Sequence, residues 1–251
     1  LVASIVIVFL AAPSFVLVPI SFSKNPFIAW PPRGVTFDWY QSYFASPVWQ
    51  FATIRSAWIA ILTGILSLIL GVPAAFALAR RPVRARRTVI AVFVLPMVMP
   101  HIIIAVGLFY LYAQLGLLGT TTGIVLGHTI FALPYVTITL LATLRTYDTR
   151  LDQAAATLGA RPLATFRLIT LPIIRTGMIT AFVFAFVKSF DELTVALFVA
   201  GGASATLPRQ IWAETLHNVT PTIAAASTIL LAVIAVAIFI TEWLSREKHR
   251  A

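Results

Sequence analysis

The sequence predicts an all-α, polytopic membrane protein folded as a single domain, residues 1–251, and three observations lead there. Hydrophobic residues make up 60% of the 251 and charged residues only 10%, whereas a soluble domain is about half apolar and a quarter charged. Six runs approach the roughly 20 apolar residues that a helix needs to cross a hydrocarbon core about 30 Å thick. The basic residues between those runs are concentrated in alternate connectors.

The six expected spans are Leu1–Ile20, Ala57–Ala79, Val89–Ala113, Thr122–Leu144, Gly177–Ala200 and Ile223–Glu242. No small-residue cleavage site follows the first run, so it is read as a retained helix rather than a signal peptide. Orientation comes from Lys and Arg. Arg80, Arg81, Arg84, Arg86 and Arg87 lie between spans two and three, and Arg145, Arg150, Arg161, Arg167 and Arg175 between four and five. Arg246, Lys248 and Arg250 follow span six. The other side holds Lys24, Arg33, Arg55 and Arg209. By the positive-inside rule the richer side is cytoplasmic, and both termini are expected there. The net charge of +10 therefore reads as topology, with lipid as the partner and no nucleic acid expected. Without cysteine, neither a disulfide framework nor a thiolate metal site is available, and no metal site is expected.

On the outer side, in a connector of about residues 21–56, "FDWYQSYF" places Trp39, Tyr40, Tyr43 and Phe44 at helical spacing. Two readings stay open. One is an interfacial helix anchored by aromatics, and the other has Trp39 and its neighbours docking a partner or guarding a solute path.

The cytoplasmic connector, about residues 145–175, is built too carefully for a tether. "LDQAAATL" is a good helix former with an alanine face, and Gly159 ends it. Pro162 suits the first turn of a second helix, and Pro172 closes the segment. Ala154, Ala155, Gly159, Ile169, Leu171 and Pro172 fall at the spacings of the cytoplasmic loop in permease subunits of ATP-binding-cassette importers, and the chain resembles that family. "SFDELTVALFVAGG", "TLPRQIW" and "PTIAAASTILL" extend the resemblance to the polyamine (spermidine/putrescine) branch.

The resemblance implies a type I importer permease fold in a bacterial inner membrane, with the connector acting as a coupling helix in a cleft of an ATPase. Asp152, Gln153, Ala154, Ala155, Gly159, Leu171 and Pro172 would make that contact. The family's glutamate is replaced by Gln153, and Asp152 is expected to supply the charge. Implied partners are a cytoplasmic ATPase dimer, a second, related permease chain and an external solute-binding protein. ATP and magnesium belong to the ATPase, and this chain is expected to bind no cofactor itself.

Independently of any family, Lys188, Asp191 and Glu192 fall inside the fifth expected span. An ionisable group at mid-bilayer costs about 2.5–3.5 kcal/mol on insertion scales, so these three should face protein or a water-filled cavity. Their spacing puts them on one broad helix face, with Asp191 about 21 Å from the cytoplasmic end. Either Lys188 and Glu192 form an internal ion pair, or the carboxylates line a path for a cationic amine. The resemblance adds Ser189 to that path. In the third span, Pro96 and Pro100 are expected to kink or locally unwind the helix beside His101, where polyamine relatives tend to carry an acidic residue. His128 is expected to be a buried hydrogen-bonding residue.

The chain lacks the "GxxxxGK[ST]" loop that cradles nucleotide phosphates, so it is expected not to be an enzyme. An importer of another small solute, such as an amino-acid derivative or an opine-like compound, is the nearest alternative to a polyamine importer. A secondary transporter or channel would leave the connector motif unexplained and should show internal repeats or paired broken helices. An intramembrane enzyme would need a nucleophile–base pair or metal ligands, and His101, His128, His217 and His249 are scattered.

Overall fold

Every regular element among the described residues is helical. The computed structural model describes Phe9, Ala12 and residues 16–80, 86–217 and 219–248, with Ala203 and residues 243–248 described by backbone alone. Most of the expected first span, Arg81, Arg84, His249 and Arg250 lie outside the described residues, as do the side chains of Arg246 and Lys248. In chain order the helices are α1 (Asp38–Ala45), α2 (Pro47–Arg80), α3 (Arg86–Val98), α4 (His101–Leu115), α5 (Thr121–Arg145), α6 (Arg150–Thr157) and α7 (Pro162–Thr165). A π turn, Phe166–Thr170, leads into α8 (Leu171–Phe190), followed by α9 (Thr194–Val199), α10 (Leu207–His217) and α11 (Pro221–Lys248). No strand occurs among the described residues.

Four stretches among the described residues are long and apolar enough to cross a membrane: Pro47–Arg80, Thr121–Arg145, Pro162–Phe190 and Pro221–Glu242. The pair α3 and α4 together make a fifth candidate, bent by 96°. The expected fourth span thus appears nearly as drawn, because Thr120 accepts a hydrogen bond from the Gly123 amide and caps α5.

Helices α2, α5 and α8 pack on one another and form the centre of the molecule. On α2, Ala60, Thr63, Gly64, Ser67, Gly71 and Ala75 are all buried. They recur every three or four residues, so they share one face. Small residues on that face let neighbouring backbones approach closely, the usual basis of helix packing where lipid removes the hydrophobic drive between helices. A Cβ on Gly71 would lie 2.6 Å from Val136 of α5, and one on Gly177 of α8 would collide with the Thr143 side chain of α5. One core cluster, with Leu78, Val136, Leu140, Leu144 and Ile174, fills the space toward the basic connectors. Another, with Ile59, Leu108, Tyr112, Phe131, Val195 and Val199, brings in α4 and α9.

Two expectations are refined and one is corrected. The helix that contains the second span starts at Pro47, about ten residues before the apolar run, since Trp49, Gln50 and Arg55 continue it. The third span breaks at its prolines into two helices. Pro100 has no amide hydrogen, so the α-helical ladder ends with Met99 donating to the Leu95 carbonyl, and a new turn starts with Ile103 donating to Pro100. The fifth span ends at Phe190. The apolar signal running on to Ala200 comes from α9, a separate short helix.

The aromatics of α1 are built into the fold. Tyr43 of α1 is buried against Trp49, with ring centroids 5.6 Å apart, and α1 packs on α11. Trp39 donates its indole N–H to the Ser23 carbonyl at 2.7 Å.

Candidate functional site

The break after α8 separates two adjacent carboxylates that a continuous helix would have placed on one face. Asp191 caps the end of α8 and is exposed. It borders an open groove of about 380 Å³ with Leu17, Leu193, Pro208, Ile211 and Ser227. Glu192 is 3% exposed and turns toward α4 and α9. The sequence reading of one shared helix face is thereby corrected, because the helix that would have made it stops at Phe190.

Glu192 is fully engaged. Its Oε1 accepts from the amides of Thr194 and Val195 at 2.9 and 3.2 Å, the otherwise unpaired donors at the start of α9. Its Oε2 lies 3.4 Å from the Lys188 ammonium and 3.7 Å from Nδ1 of His101. A buried carboxylate is tolerated only when paired and hydrogen-bonded, and these four contacts meet that condition. Lys188 also sits over the Phe131 ring at 5.8 Å, and the His101 ring stands 4.4 Å from the same ring. With side chains 24% and 34% exposed, Lys188 and His101 are the accessible members of the group. The internal ion pair anticipated as one of two readings is therefore present.

Behind this group lies a buried hydroxyl and imidazole chain. Ser189 is 4% exposed and shares a 2.8 Å hydrogen bond with Nδ1 of His128, and its hydroxyl donates to Thr63 at 3.2 Å. His128 is 1% exposed, the buried hydrogen-bonding residue expected from sequence. Its Nε2 has no partner among the described residues. Trp39, held on Ser23, shares no hydrogen bond with the Glu192 group among the described residues.

The basic connector folds as two short helices around a left-handed glycine. Gly159 has φ +80°, and the amides of Gly159 and Ala160 bond back to the carbonyls of Ala156 and Ala155 at 3.0 Å each. That is the Schellman ending of a helix, which glycine adopts without strain. Pro162 occupies the first turn of α7. Gln153, Ala154, Gly159 and Pro172 are exposed, Leu171 is half-buried and Ala155 is buried. Leu158 and Leu163, flanking the turn, are 89% and 61% exposed.

Asp152 is committed inside the chain. Its Oδ2 lies 2.6 Å from Nη1 of Arg80, and its Oδ1 accepts from Tyr147 at 2.6 Å and Thr170 at 3.1 Å. All these contacts are intramolecular. Arg80, Tyr147 and Thr170 were missed by sequence reasoning. Arg80 was counted only as one of a run of arginines, and nothing local ties it to a carboxylate far along the chain.

These helices and this connector define a polytopic membrane protein with a structured basic segment between two of its central helices. The profile of the family described as "binding-protein-dependent transport system inner membrane component" matches residues 67–250. The chain belongs to that family and is a permease component of such a transport system. It is 30% identical to the spermidine/putrescine transport system permease protein PotC of Haemophilus influenzae, over 98% of this chain and 95% of the relative. It is 32% identical to the molybdenum transport system permease protein ModB of Mycobacterium bovis, over 89% of this chain and 90% of that relative. Among solved structures, a bacterial alginate ABC transporter in complex with an alginate pentasaccharide-bound periplasmic protein contains a chain of like fold. The TM-score is 0.72 at 17% identity, covering 98% of this chain and 92% of that one.

Proposed function

We propose that this chain is one permease half of an ATP-driven importer for a small solute of the putrescine or spermidine kind, handed over by an external binding protein. It has six spans, both termini in the cytoplasm, and a second, related permease chain completing the path. The α6–Gly159–α7 segment is the coupling helix, and hydrolysis takes place on a partner ATPase dimer that holds the ATP and magnesium. Gln153, Ala154, Ala155, Gly159, Leu171 and Pro172 shape the docking face. The solute passes the Lys188, Ser189, Asp191, Glu192 and His101 region, with Trp39 at the outer mouth.

One observation carries this reading: large apolar side chains, Leu158 and Leu163 among them, stand exposed on a connector shaped by a Schellman turn and a proline start. An apolar tip on a rigid basic segment fits insertion into a protein cleft. Similarity to PotC over nearly the whole chain supports the solute class. ATP binding then closes the ATPase pair and draws the coupling helices together, and the spans open outward, receive the solute and release it inward after hydrolysis.

The absence of native cysteine makes the test direct. A Leu158→Cys chain, labelled with a thiol-reactive photo-cross-linker, assembled with its ATPase and irradiated, should cross-link to the ATPase. The same substitution at the exposed Val35 should not. No Leu158→Cys product in an assembled complex contradicts the docking assignment.

A further inference from the structure

The three helices that form the centre of the molecule all reach Asp152 at their connector ends. Arg80 is the last residue of α2, Tyr147 follows the end of α5 by two residues, and Thr170 immediately precedes α8. Each places a polar group on the same carboxylate. We propose that Asp152 is a positioning residue that locks α6 onto the ends of α2, α5 and α8, so that displacement of the connector is delivered directly to the central helices. The proposal rests on the coupling reading above.

The surroundings make this more than a surface ion pair, which by itself is worth little. The Arg80 guanidinium lies over two rings, 4.8 Å from the Phe76 centroid and 5.0 Å from that of Tyr147, which limits its freedom. Phe76 in turn meets Phe166 of the π turn edge-on, with centroids 5.7 Å apart. Tyr147 is 7% and Thr170 1% exposed. The connector is thus held to α2 by an ion pair, one cation–ring contact and a ring–ring contact, with its charged centre at Asp152. A force applied at Leu158, six residues on, meets a fixed pivot instead of a slack loop.

The assembled importer tests it with two readouts. Spin labels on Leu158→Cys and on Ala77→Cys, an exposed position near the end of α2, report the distance between connector and helix. In the otherwise unaltered chain that distance should be the same with and without ATP, since both ends travel together. Asp152→Asn should broaden the distance distribution. It should also lower labelled putrescine moved per ATP hydrolysed about tenfold, within the usual range for coupling between sites, while hydrolysis and the Leu158→Cys cross-link persist. Asp152→Glu should recover most of the ratio, and Arg80→Gln should reproduce the loss without adding to that of Asp152→Asn. A label distance that shifts with ATP in the unaltered chain overturns the proposal, as does an Asp152→Asn importer with both readouts unchanged. If Asp152→Asn does not assemble, Arg80→Gln decides by the same criteria. Absence of the cross-link from a chain changed only at Leu158→Cys would instead overturn the coupling reading.

Discussion

Lys188 and Glu192 are a turn apart by number, yet they lie on opposite sides of a helix end. Lys188 is in the last turn of α8, Glu192 lies beyond its terminus, and ammonium and carboxylate meet at 3.4 Å. The pair closes the end of α8 and presents its amide-binding oxygen to α9. A single carboxylate thereby joins two helices that hydropathy had merged.

Removing one member of that pair should cost far more than removing both. With Glu192 buried, Lys188→Met removes its lysine partner and leaves the carboxylate to the Thr194 and Val195 amides and His101, and loss of a buried partner costs about 3–5 kcal/mol. The double change Lys188→Met/Glu192→Gln should cost clearly less than Lys188→Met alone. Thermal unfolding of the purified proteins in one detergent checks this, and equal or additive losses would contradict the pairing.

The central packing predicts opposite outcomes for two glycines. Gly177→Leu drives a side chain into Thr143 and should destabilise by about 1–3 kcal/mol or more, the usual cost of overpacking. Gly107 sits within α4 with nothing in reach of an added Cβ. Gly107→Ala should therefore be neutral or stabilise by up to about 1 kcal/mol through helix propensity. The midpoint of thermal aggregation, compared for the two variants, separates them.

Gly159 makes a third case, in which space is free but the backbone is not. Nothing lies within reach of a Cβ there, yet φ is +80°, so Gly159→Ala is strained by about 1 kcal/mol. The effect should appear as weaker retention of the ATPase on affinity-purified permease, with little change in the unfolding midpoint. Unchanged retention would separate the turn from docking.

How much of this could be read from the sequence depended on whether a signal was local. The Gly159 turn and the Pro162 start are written in single residues, so the connector's two helices were legible, as was α5 between Thr120 and Arg145. Pro96 and Pro100 announced a kink, but not a 96° bend, because the angle depends on what α4 packs against. The end of α8 was hidden because hydropathy runs on through α9. The clue was an acidic residue just ahead of "TVALF", the place where a carboxylate satisfies free helix amides. The Arg80–Asp152 contact had no signal of its own, since only the folded arrangement of α2, α5 and α8 brings those residues together.

Tyr147 gives the pH dependence of that contact. Burial, and then its hydrogen bond to the Asp152 carboxylate, raise the phenol above the ordinary 10.0. The folded protein therefore holds this proton more tightly than the unfolded chain does. Its contribution to stability is complete below about pH 10 and is lost as pH climbs through the raised folded value. Spectrophotometric tyrosinate titration should show one late-ionising group in the wild type that is missing in Tyr147→Phe. Identical titration curves would contradict the buried, Asp152-bound phenol.

The central claim is that this chain carries a small solute inward only when an ATPase works on its connector. The decisive measurement is uptake of labelled putrescine into liposomes containing this chain, its partner permease and the ATPase, with loaded binding protein outside and ATP inside. A neutral and an acidic solute of similar size serve as comparisons. Putrescine should accumulate only with ATP and the binding protein, and to a higher level than either comparison solute. ATP-dependent uptake of another solute alone would keep the importer and discard the polyamine assignment. Accumulation indifferent to ATP would contradict the account at its centre.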